Sequence, residues 1–326
     1  MDLFEVNGVV DSQNIRVNDK DLQSALESFK SAVDEAQQDD FKKSTLRQPP
    51  VADDQPDFFV PSLYDVPVKD DLDLMEVAVF RLAKRQGSVN KLRFDLKNAV
   101  VEVTGSSENG LATIYDYDLV IMMVSHLAEE IRRHRKEGGL KPTNKFRPHS
   151  TEIFKFCRTS IGGNQYDQLE AALERLQGTY IKYTPKRGSR RRSDLFPLIA
   201  GARIVSETDK GRVGLLEITI PDWLYNGVVN HKNPEILTMN PDYFLIRTGL
   251  GRFVYRLARK AAGAGEAFYS AKTVHMRSGS TREFKKFLHD LRKLIRANDL
   301  PDYVLTEEKG KDGPVLRMTA RAAIAN

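Results

Sequence analysis

The chain has 326 residues, of which 40% are hydrophobic and 29% are charged, a composition typical of a globular protein of about two domains. Its longest apolar run covers residues 119–124 and is far shorter than the roughly 20 residues that a membrane-spanning helix needs. The acidic start lacks a secretory signal pattern and the single cysteine cannot build a disulfide framework, so we expect a cytoplasmic protein without a membrane span.

Charge is distributed unevenly along the chain. Residues 1–57 hold 6 basic and 13 acidic residues, whereas the remainder holds 44 and 32, so the net charge of +5 combines an acidic start with a basic remainder. A basic field attracts a polyanionic partner and speeds the encounter with it, although charge alone does not identify the polyanion.

The first 57 residues are polar, end in a proline-bearing stretch and are predicted to be disordered. Within them, residues 19–36 place Leu22, Leu26, Phe29 and Val33 along one side of an amphipathic helix. Such a helix is weak by itself. It is interpreted as a docking helix for a partner, as a dimer contact or as a transient helix without a role.

The next part of the chain is predicted to begin with strands and to continue with helices. Residues 92–103 and 111–115 are strand-like and flank the turn-forming sequence GSSENG, which predicts a hairpin. A long helix is predicted for residues 118–136 because two glycines follow its cationic last turn. Ser150 is predicted to cap another helix that contains Cys157, which we expect to be buried and inert.

The stretch of residues 162–194 has the order helix, strand and basic loop. Three-and-four spacing of apolar residues from Tyr166 to Leu176 predicts one buried helix face, and residues 179–183 alternate like a half-buried strand. This order is typical of a winged helix, whose helix enters the major groove while its wing binds phosphates; a solvated basic loop is the alternative. The candidate DNA-binding residues of this stretch are Asn164, Gln165, Gln168, Arg175, Lys186, Arg187, Arg190, Arg191 and Arg192.

Two further strands are predicted for residues 195–206 and 213–220, followed by a short helix at PDWLYNGV in which Trp223 is expected to anchor the core. The pattern then repeats. Helices are predicted from about Gly249, over residues 267–276 and over residues 280–297, with Ser280 and Glu283 forming a capping box. One side of the third helix is apolar and the other is basic, and a hairpin with KGKDG at its tip follows. The candidate DNA-binding residues here are Ser280, Arg282, Lys286, His289, Lys293, Lys309 and Lys311.

Because the same order of elements occurs twice, we expect an α+β protein with tandem winged-helix (helix-turn-helix) domains behind a disordered acidic N-terminal segment. The predicted boundaries are residues 1–57 for that segment, 58–235 for the first winged-helix domain and 236–326 for the second. A basic segment that is merely exposed to solvent explains each of the two basic helix-and-hairpin segments by itself. It does not predict that the same order of elements occurs twice.

Five collinear blocks resemble the plasmid replication initiator protein A family. They are FFVPSLYDVPVKDDLDLMEVAVFRLAKR, GLATIYDYDLVIMMVSHL, YDQLEAALERLQGTYI, LEITIPDWLYNGV, and YRLARKAAG together with FLHDLRKLIRANDLPDY. The resemblance spans about residues 58–319. It implies an initiator of a bacterial, alphaproteobacterial low-copy plasmid that binds repeated origin sequences (iterons) and helps to recruit host replication proteins such as an initiator, a helicase or a clamp. Repression of its own promoter and a homodimeric state are also compatible with the resemblance.

No motif for catalysis is found in the sequence. The six histidines form no close pair that could hold the metal of a nicking initiator, and no phosphate-binding loop of the form GxxxxGK[ST] is present. We therefore expect no enzyme, no metal and no cofactor, with double-stranded origin DNA as the partner. A transcriptional repressor is the main alternative function, and a nicking enzyme is the third.

Overall fold

The structure, a computed structural model, describes residues 46–47, 58–61, 77–83, 90–96, 99–186, 193–206, 211–230 and 236–324. The predicted helix of residues 19–36 and all but residues 46–47 of the predicted disordered start lie outside the described residues, as do Arg187, Arg190, Arg191 and Arg192. The helices are α1 (Tyr117–Glu137), α2 (Ser150–Phe156), α3 (Gly163–Gln177), α4 (Asp222–Tyr225), α5 (Gly249–Ala261), α6 (Ala271–Arg277), α7 (Phe284–Ala297) and α8 (Arg321–Ile324).

The strands form antiparallel sheets that alternate with these helices, which makes the fold a mixed α/β arrangement. They are β1 (Phe58–Pro61), β2 (Lys91–Asp95), β3 (Ala99–Thr104), β4 (Lys145–Phe146), β5 (Tyr180–Pro185), β6 (Asp194–Pro197), β7 (Gly201–Ile204), β8 (Leu216–Thr219), β9 (Ile236–Met239), β10 (Glu266–Ser270), β11 (Tyr303–Gly310) and β12 (Gly313–Ala320). The strand orders are β1-β9, β2-β3-β5-β6, β4-β8-β7 and β10-β12-β11.

The predicted hairpin around GSSENG is wrong in its pairing. Strand β2 pairs with β3, and β3 pairs on its other side with β5. The turn itself is present, because the Gly110 amide donates to the Ser106 carbonyl at 3.1 Å. Residues 111–115 form one parallel bridge and no strand, with the Arg81 amide donating to the Ala112 carbonyl and the Ile114 amide to the Arg81 carbonyl, both at 2.9 Å. Two other amides bind side chains, because the Ala112 amide donates to the Thr179 hydroxyl at 2.9 Å and the Thr113 amide to the Asp116 carboxylate at 2.7 Å.

The predicted long helix is confirmed as α1, whose apolar side lies in the core from Leu119 to Ile131. The helix after it begins one residue earlier than predicted. His149, not Ser150, is the N-cap, because its ring accepts from the Thr151 amide and its own amide donates to Glu152 at 2.7 Å. The Ser150 hydroxyl instead donates to the Val213 carbonyl at 2.8 Å.

The C-terminal part differs from its prediction at two places. Residues 266–270 form strand β10 and not the start of a helix, because this segment pairs along β12 from Glu266 to Ser270. Helix α7 begins at Phe284, four residues later than predicted, and its N-cap Glu283 makes no side-chain capping bond. The Ser280 hydroxyl accepts from the Arg282 amide at 3.3 Å within the preceding loop, so the predicted capping box is wrong.

Helices α1 and α5 are joined by a buried ion pair. Arg252 Nη1 lies 2.6 and 2.7 Å from the two carboxylate oxygens of Asp118, and the Arg252 guanidinium also donates to the Ile246 and Phe244 carbonyls. Burial raises the pKa of Asp118 above its ordinary value, and the charge of Arg252 opposes this shift. Since both side chains are deeply buried, the pair fixes α5 against α1 within the compact unit of residues 45–326.

Two further properties concern the described residues as a whole. No helix among them is both long and apolar enough to cross a membrane. Cys157 is buried as expected from the sequence, and burial raises the pKa of its thiol well above the ordinary value. The thiol is therefore protonated at neutral pH and is a poor nucleophile.

Candidate nucleic-acid interface

Helix α7 separates its apolar and basic residues onto two sides. Phe287, Leu291 and Leu294 are buried, whereas Lys286 and Lys293 are exposed. His289 is exposed between them. These three predicted DNA-binding residues stand at positions i, i+3 and i+7 on one side of the helix and are called the basic stripe of α7. With a rise of about 1.5 Å per residue, the stripe extends over roughly 10 Å of helix length. The helix carries five basic residues and one acidic residue, a net charge of +4.

The hairpin of β11 and β12 follows α7 directly and ends in a two-residue loop. Gly310 pairs with Gly313, so Lys311 and Asp312 form the tip. Gly313 has a φ of 121°, in the region that favours glycine, and this conformation lets the chain reverse there. Lys309 and Lys311 are both exposed. The two predicted wing lysines therefore lie at the free end of the hairpin.

An ion pair and a helix cap attach this hairpin to α7. The guanidinium of Arg292 donates to both carboxylate oxygens of Glu307 on β11, at 2.7 and 2.8 Å. This bond lowers the pKa of Glu307 below its ordinary value. At the end of α7, Asn298 adopts the left-handed conformation and its side-chain oxygen accepts from the Leu305 amide at 2.8 Å. The helix and the hairpin therefore present their cations with a defined relative orientation.

The loop before α7 contributes Ser280 and Arg282. Arg282 is exposed and forms an ion pair with Asp290, one turn and a half into the helix. Its carbonyl oxygen lies 2.8 Å from Nε2 of His275. The structure thus brings Arg282, Lys286, His289 and Lys293 to one helix and its preceding loop, next to the hairpin of Lys309 and Lys311.

Helix α3 has a different surface. Its predicted apolar face is confirmed, because Tyr166, Leu169, Leu173 and Leu176 are buried. Its exposed residues, however, include three carboxylates that the prediction did not weigh, namely Asp167, Glu170 and Glu174. With Arg175 as its one basic residue, α3 has a net charge of −2. Such a face repels phosphate groups, in contrast to the face of α7.

The predicted contacts on α3 have unequal access to a ligand. Asn164 and Gln168 are exposed, whereas Gln165 is half-buried and its amide donates to the Ser160 hydroxyl at 3.4 Å. Both glutamines line a cleft of about 920 Å³ that also contains Arg252. Arg175 donates two bonds of 2.8 Å to the buried carboxylate of Asp116. These two bonds hold the Arg175 guanidinium against the protein itself. Arg175 is therefore not among the proposed DNA contacts.

Lys186 lies at the end of strand β5, directly before the segment that contains Arg187, Arg190, Arg191 and Arg192. Its ammonium forms an ion pair with Asp95 and donates to the Leu96 carbonyl at 2.6 Å. The pair lowers the pKa of Asp95. Lys186 therefore ties the base of the loop to β2, and the four arginines beyond it lie outside the described residues.

Two groups of surface cations were missed in the sequence, and all of them are exposed except Lys182, which is half-buried. On one sheet, Lys91, Arg93 and Lys182 surround Glu102; on another, Lys145, Arg147 and Arg203 surround Glu217. The alternation of charged and apolar residues in KLRFD was a signal for the first group. Most of the other members come from strands that are distant in the chain. Among the described residues, no group of three or more His, Cys, Asp and Glu side chains could hold a metal ion.

Comparisons with known proteins found a relative by sequence and two solved structures with a similar fold. A "Putative replication protein" of Wigglesworthia glossinidia brevipalpis is 33% identical over 243 residues, which are 73% of this chain and 84% of that protein. Two crystal structures of domains 2 and 3 of RctB have similar folds. One has a TM-score of 0.53 and 15% identity over 80% of this chain and 98% of the other, and the second has 0.50 and 15% over 74% and 94%.

The family match covers most of the described fold, including α1, α3, α5 and α7. Residues 69–305 match the family Replication initiator protein A. This agrees with the resemblance seen in the sequence blocks and with the curated relative. The chain belongs to the replication initiator protein A family.

Proposed function

We propose that this protein is a plasmid replication initiator that binds repeated sequences in double-stranded origin DNA, without catalysing a reaction and without a metal or cofactor. In this proposal, residues 58–235 and 236–326 each contribute a winged helix. Helix α7 lies in a major groove, the hairpin of β11 and β12 contacts the backbone, and α3 with the loop of Arg187, Arg190, Arg191 and Arg192 contacts a second part of the site.

The order of the C-terminal elements supports a winged helix there. Helix α5, strand β10, helices α6 and α7 and the hairpin follow one another, and β12 lies between β10 and β11 in the sheet. In a winged helix the third helix reads the groove and the hairpin binds the backbone. The N-terminal copy fits this arrangement less closely, because β4 pairs with β8 while β5 and β6 join β2 and β3.

The observation that carries the proposal is the exposed basic stripe of α7 beside a lysine-tipped hairpin. Lys286, His289 and Lys293 point away from the core, and Arg292 holds the hairpin against the helix through Glu307. Lysine binds phosphates as a point charge, and histidine can donate to a base edge or a phosphate. Recruitment of host replication proteins, repression of its own promoter and a homodimer are further parts of the proposal that rest on the family.

The test is a footprint of the purified protein on fragments that tile the DNA on both sides of its own gene. Protection of several equally spaced repeats is the expected result for an initiator. Protection of one palindrome at the promoter instead supports a repressor. Metal-dependent cleavage of the same fragments contradicts the non-catalytic role.

A variant of the basic stripe of α7 tests whether its lysines contact DNA phosphates. In the double variant Lys286→Gln and Lys293→Gln, we expect the slope of log K against log salt to become shallower by about 1.8, since each lost phosphate contact changes it by about 0.9. Arg133→Gln with Lys136→Gln is the matched control, because it removes two exposed charges from the end of α1. An equal loss of slope in both variants means that net charge, and not the stripe, drives binding.

A further inference from the structure

The sheet of β2, β3, β5 and β6 turns one side to the core and the other to solvent. Leu92, Val103 and Ile181 are buried on the inner side. On the outer side, the register sets Arg93 opposite Glu102, Glu102 opposite Lys182, and Lys182 opposite Leu195. Outward residues of four strands thus form one row across the sheet.

The outer side is basic because three cations share one carboxylate. Lys91 Nζ lies 2.6 Å from Glu102 Oε1, Arg93 Nη1 lies 3.1 Å from it, and Lys182 Nζ lies 3.7 Å from Oε2. The bond from Lys91 lowers the pKa of Glu102 below its ordinary value, and Arg93 and Lys182 act in the same direction. A single ionised carboxylate offsets one of the three charges, so the group has an excess charge of about +2.

An aromatic ring and an aliphatic side chain are exposed among these cations. Tyr180 is 49% exposed and Leu195 is 65% exposed, although both side chains are apolar in most of their surface. Tyr180 precedes Lys182 by two residues on β5, so the two side chains leave the same side of the sheet. We name this set, consisting of Lys91, Arg93, Glu102, Tyr180, Lys182 and Leu195, the Glu102 face.

We infer that the Glu102 face binds single-stranded DNA, with Tyr180 stacking on an unpaired base and Lys91, Arg93 and Lys182 contacting the phosphates around it. A flat sheet side with an exposed aromatic among cations suits a single strand, whose bases are free to stack on protein rings. In a duplex the bases stack on one another, and the exposed ring has no base to contact. Lys91 and Arg93 lie on the side of β2 opposite Leu92, which lines a cleft together with Arg282 and Lys293. The face therefore uses none of the residues of α7 that are proposed to contact duplex DNA.

The other basic sheet supplies an internal comparison. Lys145, Arg147 and Arg203 lie 3.5, 2.8 and 3.7 Å from the Glu217 carboxylate, so the same number of cations surrounds one acid. The strands of that sheet carry no exposed aromatic residue, since their one aromatic, Phe146, is buried. The two faces therefore have the same number of cations around one carboxylate, and only the Glu102 face carries an exposed aromatic ring, that of Tyr180.

The experiment measures binding of the full chain to a fluorescent oligothymidylate of about 20 nucleotides, long enough to cover a single binding site. We expect Tyr180→Ala to weaken binding by at least about fivefold and Tyr180→Phe to bind like the original protein, because stacking needs the ring and not the hydroxyl. Tyr180→Leu, which keeps apolar bulk on the strand, is the second variant in case Tyr180→Ala unfolds, and it is expected to lose affinity as well.

The charge contribution is tested by two matched double variants. Lys91→Gln with Arg93→Gln leaves Lys182 beside Glu102, and Lys145→Gln with Arg147→Gln leaves Arg203 beside Glu217. We expect the first to make the salt slope shallower by about 1.4, at about 0.7 per contact with a single strand, and the second to leave it unchanged.

Three results overturn the inference. They are equal binding by Tyr180→Ala and the original protein, equal losses in the two charge variants, and equal or tighter binding of oligouridylate, which points to RNA. Lys286→Gln with Lys293→Gln is expected to bind the oligothymidylate normally. Failure of the duplex proposal is thereby distinguished from failure of this one.

Discussion

Helices α3 and α7 occupy equivalent places in the order of elements but present opposite charges. Each follows a shorter helix, buries one apolar side and leads into a strand. The exposed side of α7 carries Lys286 and Lys293, whereas that of α3 carries Asp167 and Glu174. The comparison shows that a repeated order of elements does not imply a repeated surface. If both segments contact DNA, they do so in different ways.

The ion pairs that attach the two helices to their surroundings differ in burial. Arg175 of α3 binds Asp116, whose side chain is 6% exposed, whereas Arg292 of α7 binds Glu307, whose side chain is 29% exposed. Both arginines donate two hydrogen bonds to one carboxylate. The pair of α3 therefore belongs to the core, and the pair of α7 lies at the surface beside the proposed contacts.

The largest effect is expected from removing the buried pair of α3. Arg175→Met leaves the carboxylate of Asp116 buried without its partner, and we expect a loss of about 3 kcal/mol in the free energy of unfolding. The measurement is urea unfolding followed by circular dichroism.

The double variant Asp116→Asn with Arg175→Met is the control for this pair. It removes the uncompensated charge and is expected to recover part of the loss, as a double-mutant cycle requires for coupled residues. Equal instability of the single and double variants means that the side-chain packing of Arg175, and not its charge, stabilises α3.

An intermediate effect is expected from neutralising the acidic side of α3. If this helix approaches DNA, Asp167→Asn with Glu174→Gln increases affinity for duplex DNA by on the order of tenfold, at about 0.7 kcal/mol for each exposed charge. The measurement is fluorescence anisotropy with a random duplex at low salt. Unchanged affinity assigns duplex binding to α7 alone and removes Asn164 and Gln168 from the proposed contacts.

The smallest effect is expected at the surface pair of α7. Glu307→Gln weakens the bond from Arg292 and should cost less than about 1 kcal/mol of stability, since exposed pairs contribute little. Because the folded-state pKa of Glu307 is lowered, its contribution is present above the unfolded-state pKa and is lost as the pH falls through the folded-state pKa.

Stability curves of the original protein and Glu307→Gln measured against pH test this sign. The two curves should differ at neutral pH and converge in acid. A difference that persists in acid assigns the effect to hairpin geometry and not to charge.

Much of the fold followed from local patterns, and the failures have physical causes. The apolar spacing of α1, α3 and α7 predicted each helix, because an amphipathic helix shows its buried side in its own sequence. The apolar residues 111–115 favour a strand, yet their backbone pairs only at one bridge with Arg81, and the Ala112 and Thr113 amides bind the Thr179 and Asp116 side chains. No local pattern reports a partner 67 residues away, as for Ala112 and Thr179.

The candidate site was predictable on α7 and not on α3. The stripe of Lys286, His289 and Lys293 is exposed because helical periodicity alone decides which side of α7 faces the core. Arg175 was likewise predicted to lie on the polar side of its helix, α3. Its partner Asp116 lies 59 residues earlier in the chain, and only the packing of the loop before α1 brings the two side chains together.

The sequence by itself determined the family, the acidic start, the uneven charge and most helix positions, because these depend on composition and on spacing within a few turns. The tertiary structure decided which strands pair, which arginines are neutralised by buried carboxylates, and which cations gather on the Glu102 face. Those properties depend on contacts between residues far apart in the chain, where the register of strands and the depth of burial set both the distance and the strength of each charge interaction.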